Sequence, residues 1–134
     1  MERVRQPGLH LFGTLANCNR ERLMWHKGIY QLLLHIPGKV EMNLIPFEGN
    51  PSLVFAQNPN YKDDIGYTGV SVLWESHFCI HTWEIYREVD FDLFSCKLFE
   101  YDKVLKVLKG FFKGELVDGR VVGRGKDSYI DILL

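Results

Sequence analysis

The sequence carries no surplus of either charge. Sixteen Lys and Arg stand against seventeen Asp and Glu, a formal net charge of -1 with pI ≈ 6.5. No basic excess is available to neutralise a phosphate backbone and there is no acidic tail, so nucleic acid is not an expected partner. Long hydrophobic runs are missing too: none nears the roughly 20 residues a membrane span requires. The stretch Met1–Pro7 holds no hydrophobic signal core, which reads as a cytoplasmic protein with no membrane partner. Cysteine is scarce. Cys18, Cys79 and Cys96 are an odd set without CxxC spacing, which argues against a disulfide framework or a structural zinc site and leaves free thiols as the expectation. Internal repeats and low-complexity tracts are also lacking.

What is present fits one globular domain over 1–134. Hydrophobic residues make up 46% and charged residues 25%, near the average of soluble domains, and a chain of 134 residues is long enough for one core. Leu9, Leu11 and Leu15 alternate within Gly8–Ala16, as in a half-buried strand interrupted by Gly13. Asn17 and Asn19 can cap a helix whose apolar positions Trp25, Ile29, Leu32, Leu33 and Ile36 recur until Pro37-Gly38 stops them. Lys39 to Phe47 and Ser52 to Ala56 read as strands, followed by a polar loop from Gln57 to Gly66. Val70 to Trp74, Phe78 to Trp83 and Val89 to Phe94 read as consecutive antiparallel strands. Tyr101, Val104, Leu105, Leu108, Phe111 and Phe112 share one face of a second helix, with Lys103, Lys106, Lys109 and Lys113 outward. One or two closing strands are expected in 115–134. The expected fold is α+β: a two-layer α/β sandwich, mainly antiparallel, with two helices on one sheet face. The other face, rich in apolar residues, is expected to pack against a second copy, giving a homodimer.

Chemistry concentrates between Glu75 and Cys96. This stretch sets a hydroxyl (Ser76), two imidazoles (His77, His81) and a thiol (Cys96) on β-type segments. A serine next to the carbonyl of Glu75 in a strained turn can attack it to form an ester, which eliminates to dehydroalanine and hydrolyses to a chain-terminal pyruvoyl group. Elimination needs a base for the serine Cα proton, and an imidazole suits that task. His77, Cys79 and His81 alternate on one strand face and could ligate a metal; no fourth ligand is indicated, so no metal is expected. Cys18 and Cys79 read as small buried hydrophobes, His26 and His35 as surface or capping residues, and His10 as either a core hydrogen-bonding group or a site residue.

The run Glu75-Ser76-His77-x-x-Ile80-His81-Thr82-Trp83 with Asp92-x-Phe94-x-Cys96 resembles the prokaryotic S-adenosylmethionine decarboxylases, self-processing pyruvoyl enzymes of polyamine biosynthesis. Gly8-x-His10-Leu11 and Cys18-Asn19-Arg20-Glu21-x-Leu23 are similar to that family's amino-terminal strand and helix start. The resemblance covers most of the chain, apart from Asn43 to Asp64. It implies that Ser76 is the pyruvoyl precursor, that the bond after Glu75 is cut to give chains 1–75 and 76–134, and that His81 acts as base. It further implies that Thr68 assists processing with its hydroxyl. Cys96 would return a proton to the substrate carbon after decarboxylation of its Schiff base, and the working form would be a homodimer of processed protomers.

Elsewhere the chain departs from the family. Where the family has Thr-Trp-Pro-Glu, whose acid binds the ribose of the substrate, Trp83 is followed directly by Glu84. The aromatic and proline usual before Gly66 are replaced by Lys62-Asp63-Asp64, and a glycine after the cysteine is Lys97. The small-molecule substrate expected by resemblance is S-adenosylmethionine. The same machinery acting on L-arginine or L-ornithine is the alternative, with Glu84, Asp63 and Asp64 as carboxylates for a cationic end. A non-catalytic regulatory member is disfavoured by the joint presence of Ser76, His81 and Cys96.

Overall fold

Alternation in the strands decides which face meets the helices. The computed structural model describes residues 7–134; the stretch 1–6, read above for its lack of a signal core, lies outside the described residues. Among the described residues the order is β1 (Gly8–Ala16), α1 (Arg20–Leu23), α2 (His26–Lys39), β2 (Ser52–Gln57), β3 (Ile65–Leu73), β4 (Ser76–Trp83), β5 (Glu88–Ser95), α3 (Tyr101–Phe112), β6 (Glu115–Arg124) and β7 (Asp131–Leu133). The strands form one sheet in the order β2-β3-β4-β5-β1-β6-β7, antiparallel at every step. This is the α+β sandwich expected, with seven strands rather than six and a short third helix.

Odd positions of β1, β3 and β5 and even positions of β4 point into a single core with the helices. Leu11, Leu15, Phe78, Leu93, Ile29, Leu33 and Leu108 are among its fully buried members. The opposite positions (His10, Phe12, Thr14; Thr68, Val70, Val72; His77, Cys79, His81; Asp90, Asp92, Phe94) are half-buried or exposed on the open sheet face. Gly13 interrupts the β1 pattern for a packing reason: a Cβ there would lie 2.6 Å from the Asp118 carbonyl oxygen on β6.

Two local expectations are corrected. Pro37-Gly38 does not stop α2, which runs through Pro37 to Lys39. Proline removes the N–H that would reach the carbonyl of Leu33, but the buried hydroxyl of Ser71 donates to that carbonyl at 2.7 Å and repairs the loss. Ser71→Ala leaves Leu33 O unsatisfied in the core and is expected to cost about 1–3 kcal/mol in urea denaturation, with the denaturant slope unchanged. Lys39 to Phe47 is not a strand either. Its start is consumed by the helix end, Glu41 takes φ 62°, and among the described residues its backbone pairs with the sheet through an isolated bridge between Leu44 and Leu73. Strand pairing is taken over by the Asn50 side chain, whose amide oxygen accepts from Val72 N at 2.9 Å while its nitrogen donates to Val72 O at 2.7 Å. β2 then adds to the sheet edge beside β3.

The cap expectation holds in part: Asn19 Oδ1 accepts from Arg22 N at 3.1 Å at the start of α1. α3 buries Val104, Leu105, Leu108 and Phe112 and turns its lysines out. Among the described residues no helix is long and apolar enough to cross a membrane.

Candidate active site

β3 and β4 are joined by a two-residue turn, Trp74-Glu75, closed by the Leu73–Ser76 pair. Glu75 adopts φ 62°, a left-handed conformation that costs a non-glycine residue roughly 1 kcal/mol or more. Its carbonyl oxygen accepts from the backbone N–H of Cys96 at 3.1 Å. Ser76 pairs across the sheet with Ser95, and Ser76 Oγ donates to Ser95 Oγ at 3.0 Å. The buried Ser95 hydroxyl oxygen also accepts from Lys97 N at 3.3 Å. A peptide bond with a strained residue on one side, a hydroxyl on the other and an N–H on its carbonyl is therefore fixed at one corner of the sheet. Glu75, Ser76 and Cys96 come together as expected. Ser95 was missed, because its pairing with Ser76 is set by the β4–β5 register, which spacing in the sequence does not give.

Thr68 and His81 form a second unit. They are directly paired on β3 and β4, with Thr68 Oγ1 2.7 Å from His81 Nδ1. The Trp83 ring stands edge-on to the imidazole at 4.6 Å between centroids and restricts its rotation. Where Nδ1–H donates to Thr68, the Nε2 lone pair is left available for a proton. This unit is not beside Ser76 of the same chain. His81 lies five positions along β4, about 16 Å at strand rise, and on the opposite face of the pleat.

Thr68 and His81 border a groove of about 360 Å³ on the open sheet face, lined also by Phe12, Cys79, Asp90, Asp92 and Asp118; among the described residues no Lys or Arg lines it. Asp90 is held by Thr14 Oγ1 at 2.5 Å and Trp83 Nε1 at 2.9 Å. Asp92 stood in the Asp92-x-Phe94-x-Cys96 motif, whereas Asp90 and Asp118 carried no sequence signal; the insertion of β1 between β5 and β6 brings Asp118 to the other two. The three carboxylates singled out from the sequence lie toward the Thr68 and His81 end, each already engaged. Glu84 Oε1 accepts from Arg20 at 2.9 and 3.1 Å, Asp63 from Tyr86 OH at 2.5 Å, and Asp64 from Asn58 Nδ2 at 3.1 Å.

Along the sheet toward Ser76, Asp92 Oδ1 stands 3.2 Å from His77 Nε2 and 3.5 Å from His10 Nε2. Burial holds the His10 pKa below its ordinary value, outweighing the pull of Asp92; Arg124 and His77 push the same way as burial. The alternating trio His77, Cys79, His81 is split, since His81 turns to Thr68. Burial pushes the thiols of Cys18 and Cys79 up to about 11, with Asp92 adding to the shift at Cys79. Cys18 is wholly buried and Cys96 half-buried. At pH 8 iodoacetamide is therefore expected to alkylate Cys96 well before Cys18, whose thiolate fraction is about 10⁻³; peptide mapping of partially labelled protein reads the order directly.

The chain matches the family described as S-adenosylmethionine decarboxylase over residues 9–125. It is 28% identical over 124 residues to an S-adenosylmethionine decarboxylase proenzyme of Methanococcus maripaludis strain C5, covering 91% of this chain and 93% of the relative. It is 30% identical over 122 residues to the proenzyme of that name from Archaeoglobus fulgidus, covering 88% and 97% of the two chains. Among solved structures, an adenosylmethionine decarboxylase from Aquifex aeolicus superimposes with a TM-score of 0.68 at 20% identity, over 95% of this chain and all of the other.

Proposed function

Because the chain belongs to the S-adenosylmethionine decarboxylase family, we propose that it is a self-processing pyruvoyl-dependent decarboxylase, cut between Glu75 and Ser76. The observation that carries this reading is the state of that peptide bond. Glu75 is held at φ 62°, its carbonyl accepts an N–H, and the hydroxyl of the next residue is hydrogen-bonded and oriented. Attack of Ser76 Oγ on the Glu75 carbonyl carbon places negative charge on the oxygen that Cys96 N–H already meets, the arrangement that lowers the barrier to a tetrahedral intermediate. Expulsion of the Ser76 nitrogen gives an ester and relieves the turn. Removal of the Ser76 Cα proton then expels the Glu75 carboxylate, and hydrolysis of the resulting dehydroalanine releases ammonia. The pyruvoyl ketone left on chain 76–134 supplies the electron sink for loss of CO2 from an amino acid. Ser95→Ala removes one orienting hydrogen bond and is expected to slow cleavage about tenfold without abolishing it, as followed by gel band conversion.

The base for the Cα proton is His81, positioned by Thr68, and we assign it to a second copy of the chain. About 16 Å along β4 lies between Ser76 and His81 of one chain, too far for proton transfer, which needs direct hydrogen-bond reach or one bridging water. The open face bears Phe12, Val70, Val72 and Phe94 among its polar groups, an apolar surface suited to a two-fold contact. In such a dimer each site takes Glu75, Ser76, Ser95 and Cys96 from one protomer and Thr68 and His81 from the other. Cys96, beside the cleavage point, is the proton donor to the substrate carbon.

S-adenosylmethionine is the substrate this family membership supports first. A second reading, L-arginine or L-ornithine, is favoured by Asp90, Asp92 and Asp118 in a groove that no Lys or Arg among the described residues lines, and by the engagement of Glu84 with Arg20. Carboxyl-labelled S-adenosylmethionine, arginine and ornithine offered separately to processed protein decide between them. CO2 from S-adenosylmethionine alone supports the first reading, and CO2 from arginine or ornithine alone replaces it with the second.

A further inference from the structure

We propose that His77, Cys79 and Asp92 form a binding site for a zinc-class divalent ion on the open sheet face, with His10 as its fourth ligand. His77 and Cys79 are two positions apart on β4 and so share a face, and Asp92 is the direct cross-strand partner of Cys79 on β5. One ligand atom from each of these three lies within 4.8 Å of the others. In a tetrahedral site with bonds of about 2.0–2.3 Å, ligand atoms sit roughly 3.3–3.8 Å apart, so side-chain rotations of about 1 Å close the set. His10, on β1, completes it: its Nε2 is 3.5 Å from the same Asp92 oxygen that His77 Nε2 approaches at 3.2 Å.

A second, independent observation points to a cation. His10 Nε2 and Asp92 Oδ1 are buried atoms whose contacts, 3.5 Å to each other and 3.2 Å from Asp92 Oδ1 to His77 Nε2, do not have hydrogen-bond geometry. Two buried polar atoms left in that state cost free energy, and native proteins rarely tolerate it. An ion between the two imidazoles, the thiolate and the carboxylate satisfies both at once. The mixed nitrogen, sulfur and oxygen set, with one soft ligand, suits Zn²⁺ better than Mg²⁺ or Ca²⁺, which take oxygen ligands. Binding displaces the Cys79 proton to solvent and clips β1, β4 and β5 together. None of these side chains is assigned to peptide cleavage, so the ion's role here is to brace the sheet.

The test uses the full chain, stripped of metal by dialysis against a chelator and then titrated with Zn²⁺ or Co²⁺. Saturable uptake of one ion per protomer, a raised melting temperature and, with Co²⁺, thiolate-to-metal charge-transfer absorption are expected. Cys79→Ser should abolish the absorption, and both Cys79→Ser and Asp92→Asn should weaken Zn²⁺ binding by more than about 100-fold, since even outer-shell changes cost 10–100-fold. Cys18→Ala and the uncleaved Ser76→Ala protein should bind as the parent does. Absence of stoichiometric uptake, or parental affinity in both ligand variants, overturns the site and leaves a bridging water between these side chains instead. Every readout is independent of cleavage and turnover, so failure here leaves the decarboxylase reading standing.

Discussion

Ser76→Ala is expected to yield a single uncut chain with no decarboxylase activity. The effect is total because two functions vanish with one oxygen atom. Without Oγ there is no nucleophile for the Glu75 carbonyl, and without an oxygen on Cβ there is no leaving group whose elimination gives the dehydroalanine from which the ketone is made. The fold should survive, since Ser76 is half-buried at a strand end and, among the described residues, its Oγ makes a hydrogen bond only to Ser95; circular dichroism and a melting curve within a few degrees of the parent would exclude misfolding as the cause. Cleavage at the same bond in Ser76→Ala protein would mean that the nucleophile is elsewhere.

Co-production of two dead variants is the second expected result with a large effect. His81→Ala alone should slow cleavage by about 10²–10⁴-fold, the usual worth of a positioned base, and should stall at the ester, which hydroxylamine cuts while sparing amides. Ser76→Ala alone does not cleave at all. When both chains are made together, the mixed dimer contains one intact site, composed of Ser76 from the His81→Ala chain and His81 from the Ser76→Ala chain. Distinct tags should then show the His81→Ala chain cut and the Ser76→Ala chain whole. If neither chain is cut, the base acts within one protomer and the chain must rearrange to bring β4 residues five apart together.

The sheet and its buried face were legible because alternation is a local property. Leu9, Leu11 and Leu15 on β1, and Phe78 and Ile80 on β4, declare their side by spacing alone. The helix end was not legible, because its cause is tertiary: only the fold brings Ser71 to the carbonyl that Pro37 leaves bare. The candidate site divides in the same way. Glu75, Ser76, His81 and Cys96 stood out by type and order, and the odd spacing between Ser76 and His81 already implied opposite faces. What composition and spacing could not yield was cross-strand register. The β1 insertion puts His10 near Asp92, the β4–β5 hairpin puts Ser95 beside Ser76, and the path of the chain ahead of α1 brings Arg20 to Glu84. Glu84 and Asp63 looked like free substrate carboxylates only because their partners are 64 and 23 residues away in sequence.

The most direct measurement is the intact mass of the purified mature protein, combined with a carbonyl-trapping reagent. Self-processing predicts two species, 1–75 and 76–134, the second lighter than its serine-terminated counterpart by the difference between an amino alcohol and a ketone, and the second alone labelled by the reagent. A single full-length mass with no labelled carbonyl would contradict it.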